Sequence, residues 1–189
     1  MNTRLLLPLL CLPLLSSLQI VQAADADQAK LEREAIGIVK KFGSTLKPEL
    51  GKAIKAGGPA HAISVCAEKA PAIARSLSLE TGWNVKRVSL KPRNAESATP
   101  DAWEKGVLEQ FDQRQASGEP VAEIDYAEVV DGRFRFMKAQ GVEAVCLNCH
   151  AAEIAPEVEA AISQSYPADK ARGYTLGQVR GAFSLSRDL

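Results

Sequence analysis

Apolar side chains recur at helical spacing through the first third of the chain. Leu31, Ala35, Ile38, Val39, Phe42 and Leu46 fall on one face of a helix over 26–46, with polar residues between them. Gly43 and Pro48 weaken the end of that helix. A short helical piece follows, up to Ala56-Gly57-Gly58-Pro59. There Pro59 opens the next helix, which Pro71 interrupts or restarts. The pattern then changes: after Thr81-Gly82, β-branched residues predict a strand at 83–90. Residues 91–98 read as loop. Thr99 as cap with Pro100 at the first position starts a helix to about Gln115, burying Trp103, Val107, Leu108 and Phe111. The clearest local signal is a hairpin: two alternating strands around Asp131-Gly132. Pro156 starts another helix to about Gln164, and a last strand covers 179–187. There is no internal repeat. The order of elements fits a single α+β domain with an antiparallel sheet.

Composition narrows this picture. The chain has 189 residues, 46% hydrophobic, which suits one domain with a sizeable core. Lys plus Arg number 23 against 23 Asp plus Glu, so no basic stripe points to nucleic acid. Aromatics are scarce at 5%, which predicts a mainly aliphatic, alanine-rich core. At the start, Arg4 precedes an apolar run from Leu5 to Leu15, and Val21-Gln22-Ala23 fits a cleavage site. Residues 1–23 therefore read as a cleaved export signal, leaving 24–189 as the mature domain. Pro8 and Pro13 break the run and argue against an uncleaved anchor. No later stretch is long and apolar enough for stable membrane insertion. The expected location is the periplasm, where thiols are oxidised.

Export makes the cysteines informative. Removing Cys11 with the signal leaves Cys66, Cys146 and Cys149, an odd number in an oxidising compartment. Cys146-Leu147-Asn148-Cys149-His150 is the C-x-x-C-H signature of c-type haem attachment. The spacing has a physical basis. Residues three apart share a helical face, about 4.5 Å apart along the axis. Cys146 and Cys149 can then each form a thioether to one vinyl group. His150, beside the second thiol, aims its imidazole at iron as proximal ligand. One covalent haem c is the expected cofactor. The rival is a structural zinc site built from Cys66, Cys146, Cys149 and His150.

Candidates for the sixth iron position are His61, Cys66 and Met137. Met137 reads as a core methionine in a strand, and His61 as a capping or surface histidine near a helix start. Cys66 lies among Ala62, Ile63 and Val65. Composition leaves it either an inert buried thiol or an iron ligand, and the odd thiol count favours ligation. Catalysis finds little support, since a peroxidase would need an acid–base histidine and only His61 offers one.

Four segments carry a family resemblance: "AISVCAEKAPAIA", "VKRVSLKPRNAESATPDAWE", "FRFMKAQGVEAVCLNCH" and "GYTLGQVRGAFSLS". Together they resemble a family of exported haem proteins, formerly a domain of unknown function, typified by a cyanobacterial c-type haem protein. The resemblance implies a PAS-like antiparallel sheet flanked by helices. It also implies an axial pair of histidine and cysteine, which maps onto His150 and Cys66. Arg87, Arg93, Arg135 and Arg180 fall in or beside these segments and are candidate partners for the haem propionates.

Two roles follow as expectations. One is a redox- or gas-responsive sensor, in which a weakened Cys66–iron bond admits a small gas such as CO or NO. It would need an unidentified redox or signalling protein as partner, because no output module is recognisable. The other is a low-potential electron carrier.

Overall fold

The computed structural model describes residues 16–189. The expected signal, residues 1–23, lies up to residue 15 outside the described residues. Among the described residues no helix is long and apolar enough to cross a membrane.

The first element, α1 (Ser16–Thr81), is two helical arms broken at Gly57 and Gly58, whose backbone angles are non-helical (φ −155°, ψ 21° and φ 75°, ψ −179°). The positive φ at Gly58 is one that a side-chain-bearing residue rarely adopts. Pro59 then restarts the helix, as expected. Pro48 and Pro71, by contrast, stand inside the arms and interrupt neither. Each costs a backbone hydrogen bond, and tertiary packing outweighs that cost. The remaining elements are β1 (Asn84–Val88), α2 (Ala95–Ala98), α3 (Ala102–Ala116), β2 (Asp125–Val130), β3 (Arg133–Gly141), α4 (Leu147–His150), α5 (Pro156–Ser165) and β4 (Val179–Asp188).

All four strands form one antiparallel sheet in the order β1-β4-β3-β2. The α+β expectation holds. The hairpin turns on Asp131 (φ 51°) and Gly132 (φ 75°), the two left-handed residues that a tight β-hairpin demands. The start of α3 differs from the sequence reading. Its cap is Asp101, not Thr99, because Asp101 and Glu104 form a reciprocal capping box. Thr99 instead closes the short α2, in a stretch expected to be loop. Trp103 is only half-buried; Glu104, Val107, Leu108 and Phe111 are the buried residues of α3.

Two apolar cores lie on opposite faces of the sheet. On one face α1 packs Ala35, Ile38, Phe42 and Leu77 against Trp83, Val85, Phe134, Phe136, Phe183 and Leu185. On the other, α3 packs Val107, Leu108 and Phe111 against Val88, Ile124, Met137 and Ala182. The expected aliphatic, alanine-rich core holds: Ala, Val, Ile and Leu supply most of the buried apolar residues. All five phenylalanines are buried with them and are among the largest core side chains.

At Gly181 the strands β1 and β4 come unusually close. A β-carbon there would stand 2.4 Å from the Val88 carbonyl oxygen, and the residue's φ is +155°. Gly181→Ala is therefore expected to lose roughly 2–4 kcal/mol of stability, from strain plus overpacking. A urea melt reads this directly; a midpoint unchanged from the native chain would contradict it.

Candidate metal centre

The C-x-x-C-H segment is a tight double turn, a 3-10 turn Ala144–Cys146 followed by α4. Its two thiols, both unpaired and half-buried, face different walls. Cys149 packs with Ile63 of α1 and Val158 and Ile162 of α5. Cys146 packs with Val142, Ala171 and Tyr174. The backbone N–H of Glu143 donates to Cys146 Sγ at 3.3 Å.

His150 ends α4, and three groups crowd its Nδ1. The Ala171 carbonyl oxygen lies at 2.8 Å, Arg93 Nη2 at 3.0 Å and Arg180 Nε at 3.2 Å. One neutral ring nitrogen cannot both donate and accept. The carbonyl can only accept, and it makes the shortest contact. Arg93 Nη2 has carbonyls of its own at Cys149 and Ala171, and Arg180 Nη1 has Ser89 Oγ and the Lys91 carbonyl. Nδ1 is therefore assigned the proton, donated to Ala171, which forgoes the longer 3.2 Å bond from Arg180 Nε and leaves the Nε2 lone pair available for a metal. Burial, then the Arg180 and Arg93 charges, push the His150 pKa down to about 3. The ring is thus neutral, the form that ligates. Tyr174 holds it edge-on, ring centres 6.1 Å apart.

Two of the four candidate arginines reach the motif, and a third lies near Cys66. Arg93, in the loop after β1, touches Cys149 and His150. Arg180 of β4 touches His150 and lies over the Tyr174 ring. Arg87 of β1 lies over the Phe42 ring and close enough to Cys66 for their charges to interact. Burial lowers the pKa of all three. Arg135 does not join them. It ion-pairs with Asp101 at 2.6 Å and stacks on Trp103, on the α3 face of the sheet.

Charge tests whether a haem fits. Among Arg87, Arg93, Arg180 and their one buried anion, Asp169, the balance is three positive against one negative. Buried charge seeks compensation, and a haem carries two propionate carboxylates. Arg93 Nε sharpens the point. It is buried and makes no hydrogen bond, although Asp169 Oδ1 lies within ion-pair reach at 3.3 Å but out of line. A donor in that state suits an anion. The residues fit the group.

Cys66 sits half-buried on the second arm of α1. Burial raises its thiol pKa, while Arg87 and Arg93 pull it down. Cys149 feels its charge, as does Tyr166, so Cys66 faces the same region as the motif. The other sixth-position candidates lie elsewhere. Met137 is fully buried in the α3-side core, and His61 is exposed beside the α1 break. Among the described residues no three His, Cys, Asp or Glu side chains converge to hold a metal ion, so the four zinc donors do not form a tetrahedral site. A haem iron needs only two protein ligands, because the porphyrin supplies four. Sequence reasoning missed Asp169, Ala171, Tyr166 and Tyr174. Nothing local marks them, since they reach the site through a loop 16 or more residues beyond His150.

A family model described as Tll0287-like matches residues 17–187. The crystal structure of the cyanobacterial haem protein Tll0287 matches with a TM-score of 0.61 at 25% identity. The match covers 82% of this chain and 95% of that one. No curated protein matches the chain.

Proposed function

This chain belongs to the Tll0287-like family, and we propose that it is an exported, periplasmic monohaem c-type protein that responds to redox state or to a small gas. The observation that carries this reading is a neutral, carbonyl-anchored His150 in the C-x-x-C-H turn, contacted by the half-buried guanidiniums of Arg93 and Arg180, with Arg87 near Cys66. The structural likeness to Tll0287, itself a haem protein, supports the cofactor.

In this reading Cys146 and Cys149 would hold the porphyrin through two thioethers, and His150 Nε2 and Cys66 would be the protein's two ligands to its iron. Arg87, Arg93 and Arg180 hold the propionates, their forks matching carboxylate geometry. When bound, the haem supplies one-electron iron chemistry. The chain's own residues set its conditions. Ala171 fixes the imidazole, Ile63, Val158 and Ile162 exclude water on one side, and the Cys66 thiolate favours the ferric state. Thiolate binds ferrous iron less well, so of the two protein ligands Cys66 would be the one displaced by a gas.

A second reading, a low-potential electron carrier, draws on one feature. Val145, next to a thioether cysteine, is 41% exposed, which keeps that edge within reach of a redox partner. Carbon monoxide separates the two. A ferrous–CO adduct supports sensing; reversible reduction with both ligands retained supports the carrier.

The direct test is to produce the full chain with the cytochrome c maturation machinery. A pyridine haemochrome spectrum and a mass increased by one haem are expected; the bare polypeptide mass would overturn the proposal. In the same preparation Cys66→Ala is expected to lose the low-spin thiolate signals of the ferric protein in low-temperature EPR. Their survival removes Cys66 from the iron.

A further inference from the structure

The loop between α5 and β4 carries the carbonyl that anchors His150, and one side chain governs that loop. Asp169 is nearly buried, its side chain 7% exposed. Its Oδ1 accepts the Ala171 backbone N–H at 2.9 Å, and its Oδ2 accepts Arg172 Nε at 2.8 Å. Arg93 Nε stands 3.3 Å from Oδ1. The Ala171–Arg172 peptide presents the oxygen that His150 Nδ1 meets at 2.8 Å. Asp169 therefore grips that peptide from both sides, through the N–H before it and the side chain after it. Other bonds clasp the loop to the motif. Tyr174 N–H donates to the His150 carbonyl at 2.9 Å, Gly173 N–H to the Ala151 carbonyl at 3.3 Å, and Lys170 N–H to the Pro92 carbonyl at 2.9 Å.

We propose that Asp169 is a positioning residue for the iron ligand: through the Ala171 carbonyl it fixes the plane and tautomer of His150, and through Arg93 it places negative charge beside the site. This rests on the haem reading above. The chemistry is that of an outer-shell partner. A ligating imidazole keeps its orientation and basicity through the acceptor on its other nitrogen. Here that acceptor is a loop carbonyl, held in place by a carboxylate one step further out. A stronger bond from Nδ1 makes the ring a better donor to iron and favours the ferric state.

Two substitutions separate positioning from ordinary loop anchoring. Asp169→Asn keeps an oxygen for the Ala171 N–H and removes the charge. Its haem-loaded protein is expected to keep the native EPR g values and to show a midpoint potential shifted upward. Asp169→Ala removes both, so the g values change with the imidazole plane and the potential rises further. Haem-loaded Asp169→Ala protein with native g values and native potential overturns the proposal. Should that variant fail to fold, Asp169→Asn decides alone, and an unmoved potential overturns the proposal. A native chain that takes up no haem overturns the haem reading and this inference with it. A haem-loaded native chain with unmoved variants overturns only the positioning role.

Discussion

Chains carrying Cys146→Ala and Cys149→Ala together are expected to leave a haem-attaching host with no covalent haem. Acid–acetone extraction checks it: the native chain keeps its colour in the protein pellet, and the double variant loses it to the solvent. The reason lies within one short segment. Cys146 caps α4 and Cys149 lies within it, each thiol against its own apolar wall. Either single variant keeps one thioether, so its haem resists extraction. The consequence for stability is also large. A covalent group stabilises the fold whatever the dilution, whereas a dissociable one contributes according to its concentration over its dissociation constant. Haem in the double variant is thus expected to be lost on dilution, and the melting temperature to fall with it. Extraction-resistant haem in the double variant would sink the assignment of both sulfurs.

Glu104→Ala is expected to destabilise the chain by about 3–4 kcal/mol, read as a lower urea midpoint with an unchanged slope. Glu104 is a carboxylate with no solvent exposure. Lys86 Nζ lies 2.9 Å from Oε1, Ser184 Oγ donates to Oε1 at 2.6 Å, and the Asp101 backbone N–H donates to Oε2 at 2.9 Å. Arg135 is 3.6 Å from Oε1. Alanine removes the common partner of all four and the capping box of α3. Breaking a buried ion pair costs about 3–5 kcal/mol. The lower part of that range applies, because Lys86 is partly exposed and Arg135 keeps Asp101. Glu104→Gln retains acceptors for Ser184 and Asp101 and should lose only about 1–2 kcal/mol. Equal midpoints for Glu104→Ala and the native chain would show that the network contributes nothing.

Much of the local architecture was legible in the chain. Strand β1, the Asp131-Gly132 hairpin, α5 and β4 fall where periodicity and turn chemistry put them, because those signals act over a few residues. The misreadings share one cause. Pro48 and Pro71 look like breaks from the sequence, yet packing of α1 against the sheet carries the helix through them. Thr99-Pro100 looks like a cap, yet Asp101 wins because Glu104 reciprocates. Composition foretold the mainly aliphatic core, but not that every phenylalanine would lie in it, because it counts side chains without locating them.

The division is sharpest among the four arginines. Two sulfurs and an imidazole within five residues form a local pattern, so the sequence by itself determined the C-x-x-C-H turn. Arg87 and Arg135 are alike as sequence, each a strand residue in a family-like segment. Register separates them. Arg87 pairs with Phe183, on the α1 face, whereas Arg135 pairs with Ser186, two residues from the Ser184 that reaches Glu104 on the α3 face. A shift of one residue in either strand would have reversed their sides. Register, the meeting of Arg93 with His150 across a sequence separation of 57 and of His150 with Ala171 across one of 21 are matters of long-range pairing, which only the tertiary structure decided.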